Sequence, residues 1–241
     1  MVTGAARGIG KATALLLARQ GHDLALLDRD EADLDRTTEG LRRIGAKAEA
    51  WIVDVAQPSE VGRVAGAALQ SFGRIDLLVH AAGIMSVANV EDCPPDEWAR
   101  VLAVNLTGTF AVCRCVVPIM QSQSSGSIVL LSSQAARSGS TVAGIAYVAT
   151  KAGILGMVRQ MAYHLAPAGI RVNAVAPGFV DTDMPHAHFP PDVIRQALLT
   201  IPARRMASPE EVAQAVAFLG SDAAAYITGE TLYVSGGRSC D

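Results

Sequence analysis

The stretch Val2-Thr3-Gly4-Ala5-Ala6-Arg7-Gly8-Ile9-Gly10-Lys11 decides the fold. A short apolar start runs into three glycines, and a helix-forming segment, Lys11–Gln20, follows up to Gly21. Glycines between a strand and a helix permit a tight turn and let a phosphate approach the backbone. The helix start behind them offers free N–H groups and a positive dipole end. The spacing is Gly-x-x-x-Gly-x-Gly, not the Gly-x-Gly-x-x-Gly of the general dinucleotide fingerprint.

Working outward, short apolar runs alternate with longer helical segments. Strands are predicted at Met1–Thr3, Asp23–Asp28, Ala48–Val53, Asp76–Ala81, Ser127–Leu131, Arg171–Ala176 and Thr231–Val234. Helices are predicted at Lys11–Gln20, Glu31–Ile44, Glu60–Phe72, Asp96–Gln121 and Ala146–Ala166, with another opening at Ser208-Pro209. Continuous apolar strands separated by helices mark a parallel sheet covered on both faces. The expectation is one α/β domain over 1–241, a doubly wound Rossmann-type sheet of about seven strands. Ligand should bind beyond the C-terminal strand ends, with the irregular segment 181–207 as a substrate lid. The first strand is short for a central one, which predicts a natural start upstream of Met1.

Composition narrows the function. Half of the 241 residues are hydrophobic and 18% are charged, which excludes a disordered chain. The net charge of −3 offers no basic surplus for nucleic acid or an anionic membrane. The weakly polar run 141–158 is interrupted by Lys151, so it reads as a buried helix rather than a membrane span. The N-terminus has no signal-peptide pattern. Cys93, Cys113, Cys115 and Cys240 form no Cys-x-x-Cys pair, which argues against a metal site and for a reducing, cytoplasmic setting.

Three further features carry chemistry. Asp28 ends the second strand, where an acid bonds adenosine ribose hydroxyls and repels a 2′-phosphate. Arg7 and Arg29 pull toward the phosphorylated cofactor, so NAD is the expected cofactor and NADP the alternative. Tyr147 and Lys151 share a helix face, and a lysine beside a phenol favours the phenolate. Bringing a tyrosine from its usual value of about 10 to near 7 takes roughly 4 kcal/mol. Ser133 follows the fifth strand, where its hydroxyl can polarise a carbonyl. No Gly-x-Ser-x-Gly elbow supports a serine nucleophile. His22, His80, His164, His186 and His188 show no evident acid partner.

In chain order, the Thr3-Gly4 to Gly10 turn, Asp28, Asp54-Val55, Ala81-Ala82-Gly83, Asn105, Ser133, Tyr147, Lys151, Pro177-Gly178, Thr182 and the closing Ile227–Thr231 with Gly236-Gly237 resemble the short-chain dehydrogenase/reductase family. The resemblance covers the whole chain and is nearest in look to the 3-oxoacyl-carrier-protein reductase-like branch. It implies Tyr147 as general acid/base, Lys151 on the nicotinamide ribose and Ser133 on the carbonyl. It implies Asn105 as the anchor of a water that links Lys151 to solvent. It places Gly4, Arg7, Gly8, Ile9, Gly10, Asp28, Arg29, Asp54, Val55, Ala82, Gly83, Pro177, Gly178, Val180 and Thr182 around the cofactor. Two departures stand out. His80-Ala81-Ala82-Gly83 replaces the usual Asn-Asn-Ala-Gly, and the Ser133–Tyr147 interval is one residue longer than usual.

The implied reaction moves a hydride between NAD(H) and a secondary alcohol or ketone. The rival is an NADPH-dependent 3-oxoacyl-carrier-protein reductase, with Arg137, Arg159, Arg204 and Arg205 as candidates for docking the acidic carrier. A catalytically silent dinucleotide sensor is the rival of another class. Two helices that are apolar nearly all round, near Trp98–Met120 and Ile145–Leu165, predict a homo-oligomer, a dimer or tetramer.

Overall fold

In the computed structural model, which describes residues 1–238, seven parallel strands form one sheet in the order β3-β2-β1-β4-β5-β6-β7. Cys240 lies outside the described residues. The strands are β1 (Val2–Thr3), β2 (Leu24–Asp28), β3 (Ala48–Ile52), β4 (Leu77–His80), β5 (Gly126–Leu131), β6 (Ile170–Pro177) and β7 (Thr231–Val234). The order reverses direction between β1 and β4, and ligands of open α/β sheets bind at such a switch point. Register fixes the site floor: Thr3 lies opposite Leu27 on one side and His80 on the other.

Both faces of the sheet are covered, which is why the strands read as unbroken apolar runs. In β2, Ala25 and Leu27 point into one core, while Leu24 and Leu26 point into the other. The first core is closed by α3 (Pro58–Phe72), α5 (Gly108–Gln123) and α7 (Ile145–Leu165), the second by α1 (Gly8–Arg19), α2 (Glu31–Arg43) and α10 (Pro209–Gly220). Helix α10 begins with a full capping box. The Ser208 hydroxyl accepts from Glu211 N, and the Glu211 carboxylate accepts from Ser208 N.

The structure corrects two expectations about elements. The segment 181–207 is not irregular: it holds α8 (Asp183–His188) and α9 (Pro191–Leu199). Its two ends are tied by a bridge between Val180 and Ala207. Proline at the start of α9 masked the helix in the sequence, since proline is tolerated in a first turn but reads as a breaker. The long helix begins at Pro95, and α4 (Pro95–Leu102) passes into α5 through a π-helical turn at Ala103–Thr107. The run Pro95–Gln123 is long and apolar enough to cross a bilayer by length and composition. Here it is a core helix, burying Val101, Val112, Val116 and Met120.

Candidate active site

The turn of residues 3–10 builds the first part of the site. Gly4 and Gly8 have φ of +67° and +55°, a region that glycine enters without strain. A β-carbon on Gly10 would lie 2.0 Å from the Gly4 carbonyl oxygen, so the turn closes only around hydrogen. Helix α1 then starts with no side-chain cap and no acid in its first turn. Its leading N–H groups are therefore free to take an anion. They face a cleft of about 450 Å³ lined by Gly4, Arg7, Gly8, Ile9, Gly10, Asp28, Arg29, Asp54, Val55, Ala82, Gly83 and Thr182, among others. These walls could hold an elongated, phosphate-bearing dinucleotide, with the helix start available to a phosphate, Asp28 to a ribose and Asp54-Val55 to an adenine edge.

Asp28 is held rigidly. Its Oδ2 accepts from Ala6 N at 3.0 Å, and its Oδ1 accepts from Arg29 N at 2.8 Å and Asp30 N at 3.2 Å. Arg7 faces Asp30 at 3.8 Å in an exposed ion pair. Thr182, at the start of the segment 181–207, packs on the turn: a β-carbon on Gly8 would sit 3.4 Å from its methyl group.

A second cavity of about 140 Å³ adjoins the first and shares Ile9, Ala81, Gly83, Met85, Thr182 and Met184 with it. Its walls carry Ser133, Tyr147, Lys151, Pro177, Gly178 and Val180. Tyr147 and Lys151 project from α7, and both are buried. Lys151 Nζ donates to Leu131 O at 2.8 Å and lies 5.7 Å from the centre of the Tyr147 ring. The Ser132 hydroxyl donates to Lys151 O at 2.7 Å and fixes the helix to the end of β5. Ser133, the next residue, hydrogen-bonds the Tyr147 phenol. The long Ser133–Tyr147 interval does not break this contact. The additional length is taken up by the short helix α6 (Ala135–Ser138) and a turn in which the Ser140 hydroxyl accepts from Val142 N and Ala143 N.

Lys151, together with the positive nicotinamide ring of a bound cofactor, is expected to favour the Tyr147 phenolate. In the protein alone, burial raises Tyr147 above its ordinary value, and the Ser133 hydrogen bond offsets part of that rise. The phenol is therefore protonated at neutral pH, the form that a general acid needs. Burial lowers Lys151 to about 8. Below that pH it is an ammonium, and above it the charge is lost. NADH affinity should accordingly weaken as pH rises through about 8, and Lys151→Met should flatten that dependence; a binding titration from pH 6 to 10 reads both.

Asn105 is not part of either cavity wall. It is buried in the π-helical turn, and its Nδ2 donates to Ile84 O at 2.9 Å and to Thr150 Oγ1 at 3.2 Å. Its Oδ1 accepts from Ile84 N at 2.8 Å. The side chain thus staples the loop after β4 to α7. Gly83 passes between: a β-carbon there would sit 3.3 Å from Asn105 Oδ1 and 3.4 Å from Lys151 Nζ. π-turns recur at functional sites because they re-aim one residue of a helix, and no spacing in the sequence announces this one.

His80, the other departure, has a visible role. Its Nδ1 lies 2.8 Å from Thr3 Oγ1, which also accepts from Ala82 N at 3.3 Å. Histidine and threonine together brace the turn at Ala81-Ala82-Gly83. Burial first, and the Lys151 charge second, push His80 down to about 3, so it is neutral. His186 has an acid partner that the sequence did not reveal, Asp181 at 2.8 Å. Of the arginines considered for carrier docking, Arg205 is held by both oxygens of Glu211 and Arg204 donates to Leu199 O. Among the described residues, no three His, Cys, Asp or Glu side chains gather as a metal site.

The family model described as enoyl-(acyl carrier protein) reductase matches residues 4–239. The chain belongs to the short-chain dehydrogenase/reductase family. Members of this family are NAD(P)-dependent oxidoreductases acting on CH–OH or ketone groups, and the silent-sensor reading gives way to an enzyme. The 3-oxoacyl-[acyl-carrier-protein] reductase FabG of Thermotoga maritima is 40% identical over 237 residues, covering 98% of this chain and 96% of that one. The protein of the same name from Vibrio cholerae is 39% identical over 239 residues, covering 98% and 95%. The crystal structure of gox2181 superposes with a TM-score of 0.96 at 34% identity, covering 99% of this chain and 94% of its own. This short-chain dehydrogenase/reductase therefore shares its fold with gox2181 and aligns with these relatives along most of their length.

Proposed function

We propose that this enzyme transfers a hydride from NADH to the C3 carbonyl of 3-oxoacyl substrates. The observation that carries the proposal is the convergence of Ser133, Tyr147 and Lys151 on a cavity that opens into the glycine-turn cleft. The names of the relatives favour the 3-oxoacyl chain over an unspecified ketone. The fixed carboxylate of Asp28 favours NADH over NADPH.

A bound nicotinamide dinucleotide would supply the hydride in reduction and accept it in oxidation. Ser133 would hold the carbonyl oxygen, and Tyr147 would donate its phenolic proton to that oxygen as the carbon is reduced. Lys151 would hold the nicotinamide ribose and offset charge on the phenolate left behind. Asn105 and His80 would act as positioning residues, holding the loops on which the cavity depends. The lid 181–207 would close over the acyl chain. Two copies or four would assemble through α5 and α7, where Phe110, Ile145 and Tyr163 stay exposed, in the cytoplasm.

Cofactor choice is the direct test. A 2′-phosphate about 4 Å from Asp28 would be repelled by roughly 4 kcal/mol per unit charge at an effective dielectric of 20. That corresponds to a preference for NADH of up to about a thousandfold. Asp28→Ser should erase most of it while leaving NADH binding within about tenfold. Titrations of both cofactors against both proteins, with a 3-oxoacyl thioester then supplied to the wild type, check the reading. Wild-type preference for NADPH would show that Arg7 and Arg29 outweigh Asp28, and no thioester turnover would refute the substrate.

A further inference from the structure

We propose that the same site also takes free short-chain 3-oxo and 3-hydroxy acids, with Arg238 holding the carboxylate. The proposal rests on the Tyr147 chemistry of the preceding reading and adds a substrate class to it. Arg238 is half-buried and forms part of the wall of the cavity that holds Ser133 and Tyr147. Among the described residues, no aspartate or glutamate lines that cavity, and the cationic side chains in its wall are Lys151 and Arg238. Lys151 is committed to Leu131 O. Among the described residues, no carboxylate or carbonyl accepts a hydrogen bond from the Arg238 guanidinium.

The fold brings this arginine into the site by a specific route. After β7, Gly236 and Gly237 take φ of +62° and +88°. A β-carbon on the first would lie 2.9 Å from Ile201 Cγ2, and one on the second 3.1 Å from Pro202. Ala203 N donates to Gly236 O at 3.0 Å, and Arg238 N donates to Ser235 O at 3.3 Å. The glycine pair thus tucks the chain against the end of the lid and returns residue 238 to the substrate cavity.

A half-buried guanidinium with no acid beside it among the described residues favours an anion, and its planar fork matches a carboxylate in two parallel hydrogen bonds. The wall also carries Met85, Val142, Met184 and Phe189, which suit a short alkyl chain. The cavity volume of about 140 Å³ also suits a small acid. In oxidation, C3 of the hydroxy acid would lose a hydride to the oxidised dinucleotide and its hydroxyl proton to Tyr147. A 3-oxo acid results, and the carboxylate is unchanged.

The test uses the NADH-loaded enzyme. Butyrate, hexanoate and their methyl esters are titrated against it by NADH fluorescence, and 3-oxobutanoate is compared with methyl 3-oxobutanoate in turnover. Wild-type enzyme should bind acid over ester by on the order of 10- to 100-fold, the range of one charge-assisted contact. Arg238→Met should bring the acid-to-ester ratio of kcat/KM toward one, chiefly through KM, and Arg238→Lys should retain part of it. NADH binding reports that each variant is folded. Equal binding of acid and ester by the wild type, or a preference that survives Arg238→Met, overturns the proposal and leaves thioester reduction standing. No turnover of acid, ester or thioester would refute the proposed function, and this proposal with it.

Discussion

Tyr147→Phe should lower hydride transfer by about 10²- to 10⁴-fold, the usual worth of a positioned proton donor. The loss should fall on kcat, with NADH affinity close to that of the wild type. The ring stays, so the buried packing of α7 is kept, and only the phenolic O–H and its contact to Ser133 disappear. Without that donor, a carbonyl oxygen gaining charge faces Ser133 alone. Single-turnover mixing of the NADH complex with a 3-oxoacyl substrate, alongside an equilibrium titration of NADH, separates the two effects. Turnover near the wild-type rate would remove Tyr147 from the mechanism. A large loss of NADH affinity would show instead that the hydroxyl holds the cofactor.

Gly10→Ala should abolish cofactor binding and destabilise the fold by several kcal/mol. Its β-carbon would sit 2.0 Å from Gly4 O and 2.7 Å from Gly4 C, well inside any van der Waals contact. Nothing soft is available to yield, because the obstacle is backbone of the turn itself. Overpacked core sites cost about 1–3 kcal/mol and more where nothing relaxes. Opening the turn would also spread the leading N–H groups of α1, which serve as an anion seat only while they converge. Thermal unfolding and NADH titration of the variant read the two losses separately. A folded Gly10→Ala protein that binds NADH normally would mean that the turn adapts and that the cleft does not depend on its closeness.

The contrast between these two positions shows how far the sequence reaches. The three glycines, the acid after the second strand and the Tyr147–Lys151 spacing are local patterns, and each constrains chemistry within a few residues. Continuous apolar runs such as Leu24–Leu27 were sufficient to call for a sheet covered on both sides, and the seven strands appear where the runs predict them. The segment 181–207 was the weak point. Pro190-Pro191 and the surrounding histidines read as breakers, yet Pro191 sits in the first turn of α9, where a proline costs no hydrogen bond.

What only the tertiary structure decided are the partnerships between distant segments. The π-turn that aims Asn105 at Ile84, the Thr3–His80 brace across β1 and β4, and the pairing of His186 with Asp181 leave no periodic signature. Arg238 is the clearest case. In the sequence it is one arginine among many, while in the fold two glycines pressed against Ile201 and Pro202 place it in the wall that also holds Ser133 and Tyr147. The sequence by itself determined the elements, the glycine turn and the candidate reacting groups, because those follow from local sterics and from burial on two faces. The tertiary structure decided which charges line the cavity, and how burial raises the Tyr147 phenol in the protein alone, because desolvation and close approach depend on what the rest of the chain brings near.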